Sequence, residues 1–574
     1  MLEQAITILI WIIWMILINL ILGYSILLLF YGDLKSKFCQ LEIITYSLSL
    51  GTAYIAVLGF ILDWTFGVNI INVIIPIAIT ISISLIVRRK YVSNQFRIGI
   101  ISRNIRGFLP IIFVAAYGLI VRVIVPYFNE ILIAYDPWYW LDISKNVAYT
   151  GHSLAGFKPL YPSGFAYITS ILCLTDPDII YLFLQIISVC FYFVIGCISV
   201  ICISGRLFKQ DKKYGLFAGL VFASSYLLVA FGMLGVPQNV AYALIPSSLL
   251  FLSQRGIQRI SGFLLAAGIY VIHAPSTLLI LISLGILALF YLISHKGAIH
   301  LKETKIILIT LTILIITVIF LIPISLPSVI NYFITFTYTD GGNPGLIKYL
   351  FYSAGILTII FTVLGGFYSI KEKQTLINLF FILFIVSIIF TQLPAGSLGI
   401  PWPPIRYLMY MSVASTIPAS YGMSKAVEII KRYNKYNTKF YVSAFLIGTI
   451  IFQSSIGLTA LVKTGGWDYA INPEEYISLL RLSEISNHSD RILVYPSIFR
   501  PAKAFLNPTM VSTNSTHIFN ETAVNSTIIS ELLASSFNYI LLNAAKYPLL
   551  YTLLSNNSAF LLEYSSSYIR VFRF

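Results

Sequence analysis

Charge is scarce in this chain. Only 10% of its 574 residues are Asp, Glu, Lys or Arg, while 58% are hydrophobic. A soluble globular protein carries roughly 25% charged residues, so a string of soluble domains is excluded in spite of the length. Cysteine is scarce too. Cys39, Cys173, Cys190, Cys197 and Cys202 all lie in or beside apolar segments, and none lies in the C-terminal tail. That excludes a disulfide framework and a CxxC metal pair. No G-x-x-x-x-G-K-[ST] run occurs, so a nucleotide-driven pump is not indicated. The first 30 residues lack a basic leader and a small-residue cleavage site, and read as a retained helix.

What the chain has in abundance is long apolar runs, with a mean hydropathy of +0.87. A helix needs about 20 apolar residues to cross a bilayer. Spans are expected near 5–31, 42–62, 69–87, 107–126, 178–204, 215–232, 239–254, 261–272, 276–294, 306–326, 350–370, 375–392, 406–423 and 440–461, about fourteen in all. Alternate loops, beginning at 31–41, hold 24 Lys and Arg residues. The opposite loops hold three, namely Lys145, Lys158 and Lys348. The positive-inside rule makes the basic set cytoplasmic, which puts the N-terminus and the tail from about 463 on the outer side. The net charge of +15 is explained by those loops, and nucleic acid is not an expected partner. Five N-x-S/T sequons agree with this direction: they begin at Asn487, Asn514, Asn520, Asn525 and Asn556, all in the tail. A Ser/Thr/Asn-rich segment also makes sequons by chance.

Two outer regions are long, which usually marks function. The loop at 127–177 is aromatic and carries Glu130, Asp136, Asp142 and Asp176, and within it WYWLDISKNVAY reads as helix. Aromatics beside carboxylates at an interface serve either to anchor the loop in headgroups or to stack on sugars around a catalytic acid. The tail reads as a small α/β domain: NPEEYISLLRLSEISN is helical, with Asn472 and Glu475 spaced as a capping box, and RILVYP, NYILLN and YIRVFRF are strand-like. It holds no phosphate loop and no catalytic triad pattern.

Polar groups at membrane depth are costly and often functional. His273 in YVIHAPST, Gln238 and Asn239 in MLGVPQNVAY, Arg406 after GIPWPPI, and Arg122 near the end of its span all fall toward the outer side. A lone histidine is more often structural than a ligand. An outer arginine either snorkels to headgroups or holds an anionic phosphate. Asp340 and Lys348 lie in a glycine-containing loop that reads as a mobile gate.

The run DPWYWLDISKNVAYTGH, followed by KPLYPSGFAYI, resembles the first outer loop of GT-C glycosyltransferases of archaeal type, distantly related to the oligosaccharyltransferase catalytic subunit. HAPST, PPIRYLMY and NPEEYISLLRLSEISNHSDRILVYP continue the resemblance in the same order, over roughly 107–574. It implies a polytopic all-α transmembrane bundle with a small extracytoplasmic α/β domain, divided as 1–106 (three added helices), 107–462 (the GT-C-like core) and 463–574 (the outer domain). It implies a membrane glycosyltransferase that takes a sugar from a polyprenyl-phosphate donor. The role of catalytic carboxylate falls on Asp136, with Asp142 beside it. Substrate contacts fall on Arg406, His273, Tyr161, Lys348 and Gln238. Two departures matter. The WWDYG hallmark of oligosaccharyltransferases is replaced after RILVYP by YPSIF, and no second acidic motif stands near 233–240. En-bloc glycan transfer is therefore not expected, and neither a metal nor another cofactor is assigned. The acceptor is left open between glycan, lipid and protein. The rival reading is a transporter or lipid flippase, or a non-catalytic protein of envelope-glycoprotein assembly.

Overall fold

In a computed structural model of the chain, residues 2–89, 105–128, 132, 136–153, 163–208, 212–254, 256–294, 353–392, 404–433, 438–464, 473–487, 490–498, 501–502, 506, 511–512, 516–519, 526–567 and 569–574 are described. The apolar runs are helices, because backbone N–H and C=O groups in hydrocarbon must be satisfied within the segment. The order begins α1 (Leu2–Tyr31), α2 (Gln40–Trp64), α3 (Ile70–Val87) and α4 (Ile105–Phe128). Two short helices follow in the long loop, α5 (Asp136–Thr150) and α6 (Gly164–Leu172). Then come the helical run α7 (Pro177–Leu207), α8 (Lys212–Ser224), α9 (Tyr226–Gly232), α10 (Pro237–Leu252), α11 (Arg259–Ile272) and α12 (Ala274–Ser294). The bundle ends with α13 (Ile356–Lys371), α14 (Thr375–Gln392), α15 (Pro404–Tyr433) and α16 (Thr438–Thr464). Five of the described helices, α1–α4 and α7, are long and apolar enough to cross a membrane. The chain is a multi-pass helical membrane protein.

Every expected span except 306–326, which lies outside the described residues, is occupied by helix. The span at 215–232 differs in shape. It is a bent pair, α8 and α9, meeting at 57°. The Ser224 and Ser225 hydroxyls donate back to the Leu220 and Val221 carbonyls at 2.6 and 2.8 Å. Such back-bonding competes with the helix ladder and bends it, and Ser225 itself leaves helical geometry with ψ 127°. Elsewhere the helices pack closely. A Cβ added to Gly365 of α13 would lie 1.9 Å from the Pro418 carbonyl, and one on Gly422 of α15 would lie 1.9 Å from the Phe361 carbonyl. These facing glycines let the two backbones touch, the small-residue packing of membrane helices.

The tail is an α/β domain. Helices α17 (Pro473–Ile485), α18 (Ser526–Ala534) and α19 (Pro548–Ser555) flank five strands: β1 (Ile492–Val494), β2 (Val511–Ser512), β3 (Tyr539–Asn543), β4 (Leu561–Ser565) and β5 (Ile569–Arg573). The sheet order is β2-β1-β3-β5-β4. β1 runs parallel to both β2 and β3, while β5 is antiparallel to β3 and β4. Asn472 lies outside the described residues, and the Glu475 carboxylate accepts the Tyr495 hydroxyl, joining α17 to the end of β1.

Candidate functional site

Asp136 is the first residue of α5 and is half-buried. Leu132, between α4 and α5 in sequence, is held on both sides. Its N–H donates to the Tyr181 hydroxyl at 3.1 Å, and its carbonyl accepts Trp138 Nε1 at 3.3 Å. Trp138 is fully buried and packs on Tyr181 at 5.8 Å between ring centroids. The burial of these rings fixes the entry to α5, and therefore the place of Asp136. Beside it, Pro126, Leu132, Pro137, Gln185, Leu234 and Gly235 help line a small pocket. Asp142 is buried at 8% exposure. A spacing of six residues puts it on a different face of α5 from Asp136, about 9 Å along the axis.

The far end of α5 is held by a residue that the sequence did not single out. Asp63, in the last turn of α2, accepts the Tyr167 hydroxyl at 2.5 Å and the Ser153 N–H at 2.8 Å. His152 Nδ1 lies 2.9 Å from the Asp63 carbonyl and 3.3 Å from its carboxylate. The Val68 N–H adds a bond to the Gly151 carbonyl at 2.7 Å. The end of α2 is thus zipped to the turn that closes α5. An acidic residue ending an apolar span beside Trp64 was the only local sign of it. Burial, together with the Asp63 carboxylate, pushes the Tyr167 hydroxyl pKa upward. On α5 itself, burial lowers the Lys145 pKa while Asp178 opposes the shift.

A second, small cavity lies on the other side of the α9–α10 turn. Arg122, Tyr192, Gly232, Asn239 and Tyr242 are among its lining residues. Arg122 is 2% exposed. It donates to the carbonyls of Gly118, Ala223 and Phe222 at 3.1, 2.6 and 3.2 Å, and it stacks over Phe193 at 4.2 Å. The last two carbonyls are those freed by the break at Ser225. Tyr242 meets Tyr410 edge-on at 5.2 Å. The Tyr410 hydroxyl lies 2.8 Å from Ser276 Oγ and 2.9 Å from His273 Nδ1, and these two are 2.8 Å apart.

Several polar groups singled out in the sequence fall within the described residues. His273 is buried and tied to α15 through Tyr410. Gln238 is buried at the start of α10, between the stretches that line the two cavities. Arg406 sits one turn before Tyr410 in α15. Tyr161, Lys348, Asn514, Asn520 and Asn525 lie outside the described residues. Asn487 and Asn556 are exposed in the tail. Among the described residues, no group of three His, Cys, Asp or Glu side chains is placed to hold a metal ion.

The fold is shared with solved ArnT structures, so the polytopic helical bundle with a small α/β tail expected from the sequence holds. ArnT from Cupriavidus metallidurans bound to undecaprenyl phosphate matches with a TM-score of 0.55 and 13% identity, over 81% of this chain and 98% of that one. The same protein in the apo state matches with a TM-score of 0.55 and 12% identity, over 80% of this chain and 97% of that one. The Archaeoglobus fulgidus oligosaccharyltransferase in complex with Zn and sulfate gives a TM-score of 0.46 and 12% identity, over 77% of this chain and 69% of that one. No protein-family model matches the chain, and no curated protein does.

Proposed function

We propose that this chain is a membrane glycosyltransferase that moves a sugar from a polyprenyl-phosphate donor to an acceptor hydroxyl on the outer face of the cell membrane. The observation that carries the reading is the position of Asp136. It begins a helix held by buried aromatics, one residue before the pocket-lining Pro137, in a fold shared with a protein bound to undecaprenyl phosphate. In the proposed step, the acceptor oxygen forms a bond to C1 of the sugar. The C1–O bond to phosphate breaks, and the polyprenyl phosphate leaves with the electron pair. Asp136 takes the acceptor proton as general base, and the configuration at C1 inverts. Asp142 fixes the seating of α5, and with it the acceptor. Arg406, with His273, Gln238, Tyr161 and Lys348, contacts the donor and steadies the leaving phosphate. The three N-terminal helices are an addition to the core, and the tail presents the acceptor.

The test is glycan analysis of envelope proteins and lipids in cells that lack the chain and are complemented with wild type or Asp136→Asn. The reading expects a missing sugar that wild type restores and Asp136→Asn does not, at equal expression. Restoration by Asp136→Asn contradicts it.

A further inference from the structure

Asp63 stands where helix α2 by itself does not favour it. It lies in the last turn of α2, where the helix dipole opposes a negative charge, and its side chain is only 12% exposed. Among the described residues, no lysine or arginine pairs with it. The donors that satisfy the carboxylate come from one stretch, the Ser153 N–H after α5 and the Tyr167 hydroxyl of α6. A carboxylate taken out of water costs free energy unless such donors meet it, so the end of α2 is stable with that stretch in place. The packing agrees. A Cβ added to Gly59, one turn before Asp63, would lie 2.4 Å from the Tyr167 Cβ. From α6 the Ser170 hydroxyl donates to the Ser144 carbonyl of α5 at 2.7 Å. Asn146 of α5 in turn donates to the His152 carbonyl at 2.8 Å. So α5 leans on α6, and α6 leans on α2. Helix α2 is itself fixed in the bundle. A Cβ on Gly268 of α11 would lie 2.6 Å from the Ala53 Cβ, and the Ser49 hydroxyl lies 3.2 Å from that of Ser247 in α10.

We propose that Asp63 is a positioning residue for the proton transfer assigned to Asp136, which makes the added N-terminal helices a working part of the outer site. Trp138 seats the first turn of α5 through its bond to Leu132. A 15-residue helix fixed at that end alone is free to tilt. A tilt of about 10° about Trp138 moves the turn at 151–153 by about 3 Å and Asp142 by about 1 Å, from the rise of a helix per residue. It also turns Asp136 through the same angle. Reacting groups need placement within about 0.5 Å and about 10–20°, so support at the far end of α5 is felt at its start. Asp63 supplies that support through α6 and the turn at 151–153. The role in transfer rests on the function proposed above; the brace itself does not.

The test measures release of polyprenyl phosphate from a labelled polyprenyl-phosphate sugar by the full chain in lipid vesicles, with an outer-envelope acceptor fraction. The variants are Asp63→Ala, Asp63→Asn and Tyr167→Phe, each assayed well below its melting temperature. Asp63→Asn is the conservative one: its amide oxygen accepts the Ser153 N–H, and its amide N–H donates to the Tyr167 hydroxyl. The proposal expects Asp63→Ala to lower the rate about tenfold, the order of loss from a small misplacement of a reacting group, with half-saturation by the donor unchanged. Tyr167→Phe, which loses one bond, shifts the rate the same way by less and carries the test if Asp63→Ala does not fold. Asp63→Asn restores most of the rate. In an Asp136→Asn background the loss from Asp63→Ala shrinks to about threefold or less, since residues that act through one another are not additive. A residue that only stabilises the fold lowers the melting temperature and leaves the rate per folded molecule unchanged. Wild-type rates in folded Asp63→Ala and Tyr167→Phe, or equal losses in the two backgrounds, overturn the proposal. If the wild-type chain releases no polyprenyl phosphate, the transferase reading falls and hydrogen exchange in peptide 136–153 judges the brace. Exchange raised by Asp63→Ala and restored by Asp63→Asn supports it, and unchanged exchange overturns it.

Discussion

The Tyr410 hydroxyl closes a triangle with Ser276 and His273, each bond 2.8–2.9 Å long. Tyr410→Phe removes one corner and leaves the Ser276–His273 bond, so it costs about 0.5–1.5 kcal/mol of stability, read as a modest fall in melting temperature. Lys145 gives a prediction with a sign. Burial lowers its pKa in the folded chain, so the unfolded chain binds the proton more tightly. A lysine in that position subtracts stability at neutral pH, and the penalty fades as pH rises toward the ordinary lysine value of about 10.4. Lys145→Met therefore raises the melting temperature at pH 7, and the gain shrinks at pH 10; a gain that grows with pH contradicts this. Single residues were unevenly legible in the sequence. Asp136 stood out by its aromatic run, and Arg122 by being an arginine near the outer end of a span. The partners of Arg122 did not stand out, since they are carbonyls about 100 residues away, exposed by a bend that only two adjacent serines mark.

Helix α5 was legible as an element because its apolar spacing is strong and its length is short. Its support was not. The bonds from Asp63 to Ser153 and Tyr167 span 90 and 104 residues, and no local pattern encodes such a pairing. Asp63→Ala leaves the Tyr167 hydroxyl and the Ser153 N–H without their acceptor. It is expected to cost about 1–3 kcal/mol and to raise hydrogen exchange in the peptide 136–153, with peptide 539–543 unchanged. Unchanged exchange in 136–153 shows that the α2 end does not hold α5. In the tail, β1, β3 and β5 were legible as β-branched and aromatic runs. β4 was not, because Leu561–Ser565 is mostly exposed and lacks the alternation that marks a half-buried strand.

Across the whole molecule, helix ends that the charge pattern assigns to one side are found together. Arg88 donates to the Leu29 carbonyl, Arg206 approaches Glu42 at 4.0 Å, and Lys425 pairs with Glu372 at 2.8 Å, all at basic-loop ends. Asp63 meets Ser153 at the opposite ends. The grouping of helix ends was thus legible in the loops, since short basic loops resist translocation, whereas the contacts of Tyr410 with Tyr242 and His273 required the folded bundle. If the tail is on the outer side, its exposed sequons Asn487 and Asn556 are open to modification. Peptide mapping from the native membrane is expected to find glycan there, and a cytoplasmic label on the tail contradicts that sidedness.

The central claim is that Asp136 takes the acceptor proton in sugar transfer from a polyprenyl-phosphate donor. Its most direct measurement is release of polyprenyl phosphate from a labelled polyprenyl-phosphate sugar by the purified full chain in lipid vesicles, given an outer-envelope acceptor fraction. The account predicts acceptor-dependent release by wild type, lowered about 10²–10⁴-fold in Asp136→Asn, the usual worth of a general base, at unchanged melting temperature. Equal release by the two proteins contradicts it.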